Sequence, residues 1–152
     1  MLIGGTYLTN ELISMGLKEK HPIFMVYSYA NLERLNKLVM ESSVKECDVI
    51  LRIRSPKPNS HLGFSSDEKS IKELGNKINS LNKIKVIGLL SHFGTQINTN
   101  DKYLANIKNL VDFARVFQKE TNSKLKYFNL GGGFPIASSF NKQKLITVFR
   151  KV

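Results

Sequence analysis

Three consecutive glycines stand in Asn129-Leu130-Gly131-Gly132-Gly133-Phe134-Pro135, directly after a run with strand character. A stretch without side chains lets the backbone approach a ligand closely and turn its amides toward phosphate oxygens. A plain glycine turn would give the same pattern, so this motif alone leaves both readings open. A second segment, Gly88-Leu89-Leu90-Ser91-His92-Phe93-Gly94-Thr95-Gln96, ends a predicted strand in a histidine that a glycine and a hydroxyl follow. An imidazole can donate, accept or stack, and a threonine hydroxyl can donate to an anion. Ligands of parallel α/β sheets sit beyond the carboxyl ends of the strands, so His92, Thr95 and Gly131 to Gly133 are expected on one side of the molecule. The alternative for His92 is a hydrogen-bonded structural histidine. Arg52, in Leu51-Arg52-Ile53, is either a strand-end ion-pair partner or a pocket residue.

The elements that must carry these residues are legible in the hydrophobic pattern. Apolar runs rich in β-branched residues mark strands at Ile23 to Tyr27, Asp48 to Ser55, Ile84 to His92 and Leu125 to Leu130, with a short one at Leu2 to Gly4. Between them run helical stripes: Leu32, Leu35, Leu38 and Val39, then Ile71, Leu74, Ile78 and Leu81. A third helix starts near Thr99 and turns Tyr103, Ile107, Leu110, Val111, Ala114 and Phe117 to one side, with Asp101 and Asp112 facing away. Ser65 and Glu68 have the spacing of a capping box for the second stripe. The two prolines of Arg54-Ser55-Pro56-Lys57-Pro58-Asn59-Ser60 make that segment a loop. Strands alternating with helices predict an α/β fold of parallel strands, with about five βα units, an incomplete version of the eight-unit TIM-type barrel. No linker or internal repeat divides residues 1–152, so one domain is expected.

Composition removes several function classes. The formal net charge of +11 raises the question of nucleic acid, but the cations are scattered over predicted helix faces and no recognised binding motif accompanies them. No nucleic-acid partner is expected. His21, His61 and His92 are far apart in sequence, with no short-spaced ligand pair, so no metal site is expected. No apolar run approaches a membrane-spanning length, and Met1 to Gly5 lacks the start of a signal peptide, which makes the cytoplasm the expected location without a membrane partner. Cys47 is the sole cysteine and reads as a buried structural thiol.

Taken in order, Val26-Tyr27-Ser28 before Leu32-Glu33-Arg34-Leu35, then Leu51-Arg52-Ile53, Leu62-Gly63-Phe64, His92-Phe93-Gly94-Thr95-Gln96 and Gly131-Gly132-Gly133-Phe134-Pro135 resemble the pyridoxal-phosphate-dependent ornithine, diaminopimelate, lysine and arginine decarboxylases of the alanine-racemase-like fold. The likeness runs from about Ile3 to Pro135 and is weaker toward Val152. It implies pyridoxal 5'-phosphate as cofactor and an amino acid as substrate. It also implies roles: His92 stacking on the pyridine ring, Thr95 bonding the phosphate, Gly131, Gly132 and Gly133 donating amides to it, and Arg52 lining the pocket. Thr95 replaces the family's usual serine and keeps its hydroxyl.

Other departures bear on activity. None of the lysines has the family's Tyr-Ala-x-Lys-Ala setting, where the lysine that bonds the cofactor stands. The Glu-Pro-Gly-Arg motif is also missing, as is the C-terminal β-domain, and His61 occupies a place where the family commonly has lysine. The expectation is therefore a fragment of a decarboxylase for a basic amino acid or diaminopimelate, with no catalytic residue of its own and inactive alone. The alternative is a noncatalytic homologue that pairs with a full-length decarboxylase. Homo-oligomerisation or a complementing chain would fit either. Gln96 leans toward the diaminopimelate branch.

Overall fold

The computed structural model describes residues 1–55, 61–95, 97 and 100–133. Five strands, β1 (Leu2–Gly4), β2 (Ile23–Val26), β3 (Cys47–Arg52), β4 (Ile84–Leu90) and β5 (Tyr127–Asn129), form one sheet whose spatial order follows the sequence, and every neighbouring pair is parallel. The helices α1 (Asn10–Gly16), α2 (Tyr29–Glu41), α3 (Glu68–Asn79) and α4 (Asn100–Thr121) connect successive strands. This is half of a TIM-type barrel, with the helices on its outer face. The predicted α/β class and the count of about five units hold.

Helices α1, α2 and α3 each start where a short polar side chain can satisfy an amide left free by the first turn. Ser28 accepts from the Asn31 amide at 3.2 Å to open α2, and Thr9 accepts from Leu12 at 3.1 Å to open α1. For α3 the cap is Asp67, which accepts from the Ser70 amide at 2.9 Å. The expected capping box at Ser65 is thus displaced by two residues: Ser65 Oγ donates to Asp67 Oδ2 at 2.7 Å and supports the true cap. A carboxylate outcompetes a hydroxyl here because it accepts both bonds and lies at the positive end of the helix.

The apolar faces meet as their spacing requires. Leu32, Leu35 and Val39 of α2, Ile71, Leu74 and Ile78 of α3, and Leu110, Phe113, Ala114 and Phe117 of α4 are buried against Ile3, Phe24, Val26, Val49, Leu51, Ile53, Val86 and Leu89 of the sheet. Full burial of such a side chain contributes about 1.5 to 3 kcal/mol. On α4 the stripe is rotated from the one expected: Asn106 and Phe113 are buried, whereas Ile107 and Val111 are half-buried. The seven-residue α1 was not expected from the pattern, since only Ile13 and Gly16 are buried along it. The opposite face of the sheet carries Ile50, Ile87 and Leu90, with Ile23, Met25 and Tyr27 packed beside them.

One irregularity decides which way the end of β4 faces. Val49 pairs with Val86, but Ile50 pairs with Gly88, so Ile87 is an extra residue in β4. A bulge of this kind shifts the in-out alternation by one position. Val86 and Leu89 both face the helices while Ile87 and Leu90 face the inner side. Gly88 fits at the kink because a Cβ there would fall 2.7 Å from the Tyr127 carbonyl oxygen. Among the described residues, no helix is long and apolar enough to cross a membrane.

Candidate functional site

The carboxyl ends of β3, β4 and β5 lie side by side, since Arg52 pairs with Leu90 and Leu90 with Asn129. The ladder extends one residue further, where the Ser91 amide donates to the Asn129 carbonyl at 2.9 Å. Ser91 is fully buried and turned toward α4, with its Oγ donating to Asn106 Oδ1 at 2.6 Å. Alternation then sets His92 on the inner side, following Leu90.

Beyond the strand ends, two loops interlock. The Gly132 amide donates to His92 Nδ1 at 3.3 Å, and the Gly131 amide donates to Asn129 Oδ1 at 2.8 Å. The Gly133 carbonyl accepts from the Ile97 amide at 2.8 Å and from the Tyr103 hydroxyl at 3.2 Å. Glycine is needed at the two ends of the triplet for packing. With φ +73 at Gly131, an added Cβ would lie 2.8 Å from His92 Nδ1, and with φ +90 at Gly133 it would collide with the Gly94 carbonyl oxygen. The middle of the triplet differs: Gly132 is exposed and no atom lies within 4 Å of its Cβ position.

Of the residues singled out from the sequence, His92 and Gly131 to Gly133 are thus brought into contact. Arg52 stands on the adjacent strand end, half-buried, with its guanidinium carbon 5.1 Å from the Tyr27 ring centroid. The contact it makes there is a cation–π one, and among the described residues it has no ion-pair partner. Thr95 is exposed and follows Gly94 on the loop after His92. Gln96, Phe134 and Pro135, the loop from Pro56 to Ser60, and Thr99 lie outside the described residues. Cys47 sits at the opposite end of β3, where burial, and secondarily the charge of Asp48, pushes its thiol up to about 12. It is not a nucleophile for this site. Pattern reading missed Asn106, Tyr103 and Asn129 as supports. A polar residue at helical spacing inside the apolar stripe of α4 was the available signal for Asn106.

Residues 3–151 match the family model for the pyridoxal-dependent decarboxylase, pyridoxal binding domain. The chain belongs to this family. The match carries the likeness of this pyridoxal-binding domain past Pro135, to residue 151. Solved structures agree on the fold. The arginine decarboxylase of Paramecium bursaria Chlorella virus superposes with a TM-score of 0.80 at 20% identity, over 99% of this chain and 40% of that one. Diaminopimelate decarboxylase from M. jannaschii, in co-complex with L-lysine, gives 0.79 at 22% identity, over 99% and 39%. The lysine/ornithine decarboxylase of Vibrio vulnificus, complexed with putrescine, gives 0.66 at 19% identity, over 89% and 34%. The decarboxylase domain described here therefore spans at most 40% of these relatives. No curated protein matches it by sequence.

Proposed function

We propose that residues 1–152 form one partial barrel domain that supplies the cofactor-phosphate shell of an amino-acid decarboxylase, whose substrate is a basic amino acid or diaminopimelate. The observation that carries this reading is the meeting of His92 and Gly132 across two strand-end loops, with open space at Gly132. A site for pyridoxal 5'-phosphate needs donors for an anion and a flat partner for a ring. The Gly133 amide and the Thr95 hydroxyl are donors of the first kind. The Gly131 and Gly132 amides, given to Asn129 Oδ1 and His92 Nδ1 in the ligand-free chain, join them by exchanging those acceptors for the anion. The His92 imidazole is of the second kind, and the Arg52 guanidinium lines the pocket beside them. The residues present fit the group.

When bound, the cofactor withdraws electrons from the α-carbon of an amino acid. In this reading the chain's own residues orient it: the glycine loop fixes the phosphate, Thr95 adds a hydroxyl donor, and His92 limits the ring to one plane. The lysine that would hold the cofactor covalently has no counterpart among the described residues at this end of the sheet. Lys85 and Lys126 stand near the opposite ends of β4 and β5, and Lys85 is paired with Glu46 at 2.9 Å. In this reading the chain alone is inactive and works with a complementing chain or in a homo-oligomer. A noncatalytic homologue that pairs with a full-length decarboxylase is the second reading. The large apolar side chains exposed near both sheet edges favour it, with Leu2 49%, Tyr127 50% and Phe128 48% exposed.

Pyridoxine 5'-phosphate lacks the aldehyde and cannot condense with surface lysines, which makes it the probe. It should bind with a dissociation constant on the order of high micromolar, because a few polar contacts and ring stacking must offset the entropy of association. Gly132→Leu should abolish this binding, and Lys108→Ala, on the exposed face of α4, should leave it unchanged. Equal affinity of the parent and Gly132→Leu would refute the site.

A further inference from the structure

Helix α4 reaches the two site loops through a pair of residues one turn apart. Tyr103 is 5% exposed and forms with Phe93 and Ile97 a small apolar cluster separate from the main core. Its hydroxyl donates to the Gly133 carbonyl at 3.2 Å and lies 3.5 Å from that of Ile97. A phenol is already protonated at neutral pH, and burial moves this one further from ionising. Asn106, one turn further on, takes the Ser91 hydroxyl at 2.6 Å, and its Nδ2 lies 3.5 Å from the Ser91 carbonyl. One helix face thus grips the glycine loop and the strand that carries His92.

The consequence falls on Gly132. The triplet is anchored at its start, where the Gly131 amide donates to Asn129 Oδ1, and at its end, where Gly133 accepts from Tyr103 and Ile97. Between these anchors Gly132 faces open space. A loop fixed at both ends keeps its shape without an ordering cost at the moment of binding, although the Gly132 amide must leave His92 Nδ1 to meet an anion, whereas a loop free at one end must be ordered by the ligand.

We propose that Tyr103 is a positioning residue for phosphate, its hydroxyl holding the Gly131–Gly133 loop in the shape that receives the anion. This rests on the proposed role of the glycine loop as the phosphate cradle. The tyrosine ring fills the cluster with Phe93 and Ile97, and the hydroxyl tethers the loop. Removing the hydroxyl alone separates these two tasks.

The experiment compares the full chain and Tyr103→Phe by NMR titration with two probes, pyridoxine 5'-phosphate and pyridoxine. The parent should prefer the phosphate ester. In Tyr103→Phe that affinity should fall about tenfold while pyridoxine binding stays constant, and the Ile97 amide should exchange faster because its acceptor is no longer held. An unchanged affinity for the ester, or an equal loss for both probes, overturns the proposal. A parent without preference for the ester overturns the cradle itself, and the positioning role with it. Unaltered affinity in a variant whose Ile97 exchange has accelerated overturns the positioning role alone. Should Tyr103→Phe fail to fold, 3,5-difluorotyrosine at position 103 retains the ring and changes the hydroxyl's donor strength. Its ester affinity should shift and its pyridoxine affinity should not, and no shift overturns the proposal equally.

Discussion

The Gly132 amide donates to His92 Nδ1 at 3.3 Å, which joins the loop after β5 to the loop after β4 and fixes the state of the imidazole. A nitrogen that accepts cannot carry a proton, so the neutral ring bears its hydrogen on Nε2. Nitrogen NMR of the neutral ring should show the Nε2–H tautomer in the ligand-free chain. His92→Phe keeps a flat ring and removes the acceptor, which should cost about 1 kcal/mol of stability and speed Gly132 amide exchange about fivefold. A protonated Nδ1 in the neutral ring would contradict the geometry.

The three glycines should respond unequally to alanine. At Gly133 the methyl would occupy the place of the Gly94 carbonyl oxygen, and the backbone has φ +90. Gly133→Ala should lose about 2 to 4 kcal/mol in urea unfolding. Gly132→Ala meets no atom within 4 Å and should stay within about 0.5 kcal/mol of the parent. Equal losses at the two positions would show that the loops do not interlock.

How much of this was written in the sequence can be judged from β4. The run from Ile84 to His92 reads as a strand, and the glycine loop and His92 were each found from residue type and spacing. The face on which His92 lies was not. Counting by twos from Val86 sets Gly88, Leu90 and His92 on the helix side, whereas the extra Ile87 reverses this from Leu89 onward. A glycine inside a strand is the only local hint of such a bulge, and it does not say which residue is extra. Asn106 illustrates the same limit from another direction. Its buried place on α4 depends on Ser91, fifteen residues away in sequence, and periodicity carries no information about a partner.

Cys47 is 1% exposed, and its thiol is raised to about 12 by burial first and by Asp48 second. Reaction with a disulfide reagent needs the thiolate. The native chain should resist labelling at pH 8 and release its single thiol in denaturant. Because the unfolded thiol ionises near 8.5 and the folded one higher, stability should fall as pH rises above about 8.5. Rapid labelling of the native chain would place Cys47 at the surface.

The carboxyl of Asp67 is held well below the usual carboxylate range, first by the Ser65 hydroxyl and then by Ser70. A folded-state value below the unfolded one contributes stability that is complete above about 3.9 and is lost as pH falls through the folded value. Asp67→Asn should therefore unfold at a lower temperature than the parent at pH 7, and the two should converge in strong acid. A difference that persists unchanged into acid would show that the cap acts by shape alone.

The order β1-β2-β3-β4-β5 is also the order of synthesis. Each strand pairs with the one made just before it, through a single intervening helix, so none waits for a distant piece of chain to emerge. At about 5 to 20 residues per second, one unit can dock while the next is still being translated. The ribosome thus lays down these five strands in their spatial order. Among the described elements, the loops that meet at His92 and Gly132 come together after the others, when β5 closes beside β4.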